Sequence, residues 1–124
     1  MSSANIQFFF TLQTQLKLHH WQTTQFSTHK ATDEILKKVD GIIDEYVETY
    51  MGRYGRATIT QSTSTIVLKN LSEKNVVKFV KGSLKYLEGE FVKGLKPEDT
   101  PLLNLRDELA GALQQLLYLF TLHG

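Results

Sequence analysis

A chain of 124 residues with 41% hydrophobic content holds one core and is too short for two. Its 14 basic and 13 acidic residues leave a formal charge of +1, so no global field draws it to nucleic acid or to an anionic membrane. It has no cysteine, which excludes disulfides, thiolate metal sites and cysteine nucleophiles.

All predicted elements are helices. The two prolines, Pro97 and Pro101, lie late, leaving room for long uninterrupted helices before them. The first helix is predicted from Ala4 to Gln22. Ile6, Phe9, Leu16 and His20 share its apolar face, while His19 projects away from it and is expected at the surface. The second runs from Thr28 to Met51, capped by Ser27 or Thr28 and ended at Gly52 in a left-handed turn. Ile35, Leu36, Val39, Ile42, Ile43, Tyr46, Val47 and Tyr50 form its apolar stripe.

Residues 53–71 then form a long link. Thr58 to Leu68 is rich in β-branched residues and taken alone reads as strand, yet no second strand is available to pair with it. The third helix begins after Ser72 as N-cap, carries Val76, Val77, Phe79, Val80, Leu84 and Leu87, and ends between Phe91 and Gly94. The fourth follows Asp99 or Thr100 as cap, with Pro101 early, and carries Leu102, Leu105, Leu109, Leu113, Leu116, Leu117 and Phe120. A long link in the middle is what a bundle needs when its second and third helices run in the same direction. The fold class is therefore all-α, a single four-helix-bundle domain of ferritin-like connectivity, with residues 53–71 as a crossover containing a short helical turn.

The N-terminus lacks a positive signal-peptide region, and no apolar run approaches the ~20 residues that span a bilayer. The expectation is a cytoplasmic protein with no membrane association. Lys74, Lys78, Lys81 and Lys85 make a basic stripe on the third helix, which reads as a solvated face.

Bundles of this class hold two irons between Glu-x-x-His motifs, and this chain has none. The second helix offers another donor set. His29 and Asp33 are one turn apart, and so are Asp44 and Glu48. Imidazole and carboxylate donors suit iron, manganese or zinc. The four project to a face roughly opposite the apolar stripe, where acidic pairs are ordinarily just solvated. Asp33 and Asp44 lie about 16 Å apart along one helix, so they cannot meet within one molecule. They can meet across a two-fold axis. The antiparallel register that sets Asp33 opposite Asp44 of a second copy also sets His29 opposite Glu48.

His20-Trp21, then His29-x-x-x-Asp33, then Asp44-x-x-x-Glu48 resembles the ferroxidase signature of Dps-type mini-ferritins, over roughly Ile6 to Gly52. The resemblance implies a catalytic, metal-binding site of His20, His29 and Asp33 from one subunit and Asp44 and Glu48 from its mate. Trp21 would lie nearby as an electron donor. It also implies Fe(II) oxidation with iron storage and oxidative-stress protection, in a homo-oligomer that closes into a dodecameric cage. No Lys or Arg precedes Lys17 and no basic C-terminal tail exists, so DNA binding through tails is not expected. The alternative is a non-catalytic ferritin-like bundle, whose second-helix face serves structure or assembly.

Overall fold

The computed structural model describes residues 1–123. It contains four helices: α1 (Ser3–Gln22), α2 (Phe26–Tyr54), α3 (Glu73–Glu88) and α4 (Thr100–Leu119). Two single 3-10 turns, Gln61–Thr63 and Glu90–Val92, complete the regular structure, and no strand occurs among the described residues. The chain is an all-α helical bundle.

The apolar stripes meet in one core. Leu12 and Leu16 of α1, Ile35 and Val39 of α2, Val76 and Val80 of α3, and Leu113 and Leu116 of α4 are all inaccessible to solvent. Burying each such side chain stabilises the fold by about 1.5–3 kcal/mol relative to leaving it in water. At one end Phe91 fills the space between helices, with ring centroids 5.4 Å from Phe9 and 5.0 Å from Tyr46.

Contacts between named residues fix the helix directions. Lys38 of α2 reaches Gln115 of α4, and Arg53 near the end of α2 meets Asp99 at the start of α4, so these two helices are antiparallel. Asn5 and Phe8 at the start of α1 meet Tyr86 near the end of α3, while His19 meets Glu73 at its start. These are antiparallel as well. The link between α2 and α3 follows α1 in register. The Gln7 amide donates to the Thr65 carbonyl at 2.8 Å, and the Gln15 amide donates to the Lys69 carbonyl at 2.7 Å. Gln15 also accepts the Lys69 N–H at 3.0 Å, so one side chain takes the place of a neighbouring strand for that residue. The β-branched run is broken by the 3-10 turn Gln61–Thr63, and beyond it no helix or strand forms before α3; its polar backbone is partly met by side chains of α1 rather than by another strand.

Helix ends depart from the sequence prediction where local chemistry differs. Helix α2 starts earlier, at Phe26, with Gln25 as a cap whose side chain bonds no backbone N–H of the first turn; Ser27 and Thr28 lie inside that turn. It runs past Gly52 to Tyr54 and stops at Gly55, whose φ of 94° with ψ of −175° is a backbone conformation open to glycine and rarely to other residues. Ser72 caps α3 as predicted, its hydroxyl accepting the Asn75 N–H at 3.1 Å. Helix α3 closes at Glu88, and Phe91 belongs to the 3-10 turn beyond it.

Candidate metal centre

The turn between α1 and α2 is only three residues long, Thr23 to Gln25. The Thr23 N–H closes α1 on the His19 carbonyl at 2.9 Å, and the Gln25 N–H then finds the Thr23 hydroxyl at 3.2 Å. So tight a turn lays the last residues of α1 against the first turn of α2. His20 and His29 meet there.

The two imidazoles are held by reciprocal bonds. His20 Nδ1 lies 2.7 Å from the His29 carbonyl oxygen, and His29 Nδ1 lies 2.9 Å from the His20 carbonyl oxygen. The Thr32 hydroxyl supports the same corner, 3.2 Å from His20 Nδ1. A carbonyl can only accept, so each Nδ1 carries the proton. In the neutral ring each Nε2 therefore keeps its lone pair. Tying one ring nitrogen to a backbone carbonyl is the usual way in which a metal-ligating histidine is oriented. The rings are stacked at 4.0 Å between centroids and 14° between planes. Lone pairs that lie in two nearly parallel planes do not converge on a point, so the pair suits two neighbouring ions rather than one. His20 is buried and His29 is exposed, which leaves the cluster open on the α2 side.

The carboxylates lie farther along α2. Asp33 is half-buried one turn beyond His29, its Oδ2 3.5 Å from the ammonium of Lys37. Asp44 is exposed on the rim of a mostly apolar groove between α1 and α2, lined by Ile6, Phe10, Val47 and Met51. Glu48 is exposed beside a shallow hollow with Met51, Gly52 and Arg56. Within one copy, Asp44 and Glu48 are not brought to the histidines. Among the described residues, no group of three or more His, Asp or Glu gathers to hold a metal ion. Trp21 is 68% exposed, with the Lys17 ammonium 5.8 Å from its ring centroid.

His19 corrects the sequence prediction. It is buried, not exposed, and its Nε2 lies 3.1 Å from a Glu73 carboxylate oxygen. The other Glu73 oxygen accepts the Thr23 hydroxyl. The start of α3 covers this side of α1, and the polar residues Asn5 and Gln15 are buried on the same side. Each has a specific partner: Asn5 bonds Tyr86 and Phe91, and Gln15 bonds the link. The signal was a polar stripe repeating at helical spacing, which an apolar criterion passes over.

Another polar cluster ties α2 to α4. Asp99 is buried; one carboxylate oxygen accepts the Lys96 N–H at 2.8 Å and the Tyr54 hydroxyl, and the other is ion-paired with the Arg53 guanidinium. The Lys96 N–H above all, then the Tyr54 hydroxyl and the Arg53 charge, hold its carboxyl below the usual carboxylate range. Burial first, then the Asp99 charge, push the nearby Tyr46 phenol well above its ordinary value.

A model of a family of unknown function, DUF5856, matches residues 20–120. The chain belongs to the DUF5856 family. No curated protein and no solved structure matches it. The DUF5856 match opens at His20 and takes in the whole of α2, α3 and α4, so both imidazoles and all the candidate carboxylates lie inside it. Most of α1, including the groove residues Ile6 and Phe10, precedes the match. None of the described helices is long and apolar enough to cross a membrane.

Proposed function

We propose that the chain is an iron-binding ferroxidase whose di-metal sites form between two copies. The observation that carries this reading is the reciprocal clamp of His20 and His29, which fixes two imidazoles and leaves both Nε2 atoms free. His20, His29 and Asp33 of one copy, with Asp44 and Glu48 of a second, provide nitrogen and oxygen donors of the kind iron accepts, and manganese or zinc as well. Antiparallel pairing of α2 with its mate is the arrangement that unites them. The helix directions and the long link along α1 support a ferritin-like connectivity, in which the site lies on the outer face of α2. Further assembly into a dodecameric cage would give ferric product a place to collect.

Fe(II) is the substrate. Two Fe(II) ions each give one electron to one molecule of hydrogen peroxide; the O–O bond breaks and two hydroxides and two Fe(III) result. Imidazole nitrogens retain the ferrous ions, and hard carboxylate oxygens stabilise the ferric product. Trp21, next to His20 in the chain and open to solvent, is the candidate donor for a surplus oxidising equivalent.

The test is Fe(II) oxidation by peroxide or air, followed by ferric absorbance, in wild type and Asp44→Ala/Glu48→Ala. Wild type should outpace buffer and the variant should not. Equal rates for wild type and buffer sink the reading. The Asp33–Lys37 ion pair and the solvent-facing Asp44 and Glu48 fit a second reading, in which the same face serves assembly without metal. An oligomer inert toward iron would select it.

A further inference from the structure

We infer that α2 carries a self-complementary docking face, and that Phe26 of each copy seats in the groove between α1 and α2 of the other. The inference takes its antiparallel helix pairing from the reading above, but it concerns the contacts that hold two copies together without metal.

At 100° per residue, Phe26, Asp33, Lys37, Asp40, Asp44 and Met51 project within about 60° of one another. This side of α2 turns away from the buried residues Ile35, Val39 and Tyr46. Phe26 is 67% exposed, a large apolar surface at the very start of the helix. At the other end Met51 lines the apolar groove, about 320 Å³ in volume, together with Phe10, which is 51% exposed. The two features lie about 37 Å apart on one helix, so they cannot satisfy each other within a copy.

One register satisfies both. The antiparallel pairing that sets Asp33 opposite Asp44 also sets Phe26 opposite Met51, apolar against apolar. It sets Lys37 opposite Asp40, opposite charges at short range on either side of the axis. Asp40 keeps its place through the Gln13 amide at 3.0 Å, and Lys37, largely in solvent, would trade its 3.5 Å ion pair with Asp33 of its own helix for one with Asp40 of the second copy. A two-fold repeats each pairing. Shifts of one turn each keep only half of the match. One keeps Phe26 on the groove, at Val47, but sets Lys37 against Leu36 and Asp33 against Asp40. The other keeps an opposite-charge pair, Lys37 with Asp44, but leaves Phe26 facing Gly55 and Asp33 facing Glu48. Each register opposes Asp33 to another carboxylate, and only the unshifted one joins an opposite-charge pair to an apolar one, with a second copy of this chain as the occupant of the groove.

The absence of cysteine makes a direct test simple. The variant Phe26→Cys/Met51→Cys cannot close a disulfide within one straight helix, because disulfide-bonded residues have Cα atoms less than about 7 Å apart. Under mild oxidation in EDTA it should form covalent dimers, and a one-turn control, Phe26→Cys/Val47→Cys, should form far fewer. Mass measurement in EDTA should find wild type as a dimer or a multiple of it. Phe26→Asp should shift the mass at least tenfold in concentration toward monomer, with its helical circular dichroism retained. A monomeric wild type, equal cross-linking by the control, or a folded Phe26→Asp that assembles like wild type overturns the inference. If Phe26→Asp fails to fold, the cross-linking pair decides. An iron-inactive dimer would remove the ferroxidase reading alone, whereas iron oxidation by a strict monomer would remove both.

Discussion

His20 and His29 each give an Nδ1–H to the other's backbone carbonyl, at 2.7 and 2.9 Å. Both rings are thereby committed to the same tautomer. Long-range proton–nitrogen NMR at a pH where the rings are neutral should show both with Nδ1 protonated and Nε2 bare. Adding Zn(II), which is redox-inert, should move the Nε2 resonances of these two and leave the His19 signals nearly in place, since His19 Nε2 is engaged with Glu73. An Nε2–H tautomer at either position would remove the lone pair on which the site depends.

Shared sites predict complementation. His20→Ala/His29→Ala removes the donors of one half, and Asp44→Ala/Glu48→Ala those of the other. Each variant alone should oxidise iron at the buffer rate. Co-expressed in equal amounts, half the dimers carry one intact site, so about a quarter of wild-type activity should return. No recovery in mixed dimers of verified composition would rule out sites built from two chains.

Asp99 makes stability depend on acid. Its carboxyl is held below the usual carboxylate range in the folded protein, by the Lys96 N–H first and by Tyr54 and Arg53 after it. The unfolded chain therefore takes up that proton more readily than the folded one. The contribution is complete above the ordinary carboxylate pKa and fades as pH falls through that range toward the lowered folded value. Asp99→Asn lacks this term. The melting-temperature gap between wild type and Asp99→Asn should be widest near neutrality and shrink on acidification. A gap that is constant from neutral pH down through the carboxylate range would contradict this assignment.

Two packing features set stability far from the metal face. Phe91 is 1% exposed among the rings of Phe8, Phe9, Tyr46 and Tyr86. Phe91→Ala should cost about 3–5 kcal/mol through lost burial and the cavity left behind. Ser72→Ala removes the hydroxyl that accepts the Asn75 N–H and should cost about 1 kcal/mol. Urea unfolding followed by circular dichroism measures both, and their order should hold even if the absolute values shift.

The helices were legible in the sequence because their apolar residues recur at helical spacing, most plainly Ile35 to Tyr50 in α2 and Val76 to Leu87 in α3. The ends were less so. Helix α2 begins at Phe26 because the tight Thr23–Gln25 turn starts it there, not because a side chain caps it. His20 was found on the inward face because that face is apolar. His19 was misplaced because its side of α1 is covered by the start of α3 and the link, which tertiary packing decides and one helix's pattern does not. Asp99 could be read as a cap, but its partners Arg53 and Tyr54 come from a helix far away in the chain and left no local trace.

The Gln15 amide, which both donates to and accepts from Lys69, does for that residue what a hydrogen-bonded strand would do. Ile66, Val67 and Leu68 just before it are of the kind that pairs edge to edge between molecules, and Val67 and Leu68 are exposed. An extended, apolar segment with free backbone groups is a template for aggregation. By fastening this segment to a helix, Gln15 withholds it from other chains. Its role is thus as much protection in the test tube and the cell as stability: a Gln15→Leu chain that still folds should nonetheless form fibrils or precipitate sooner than wild type.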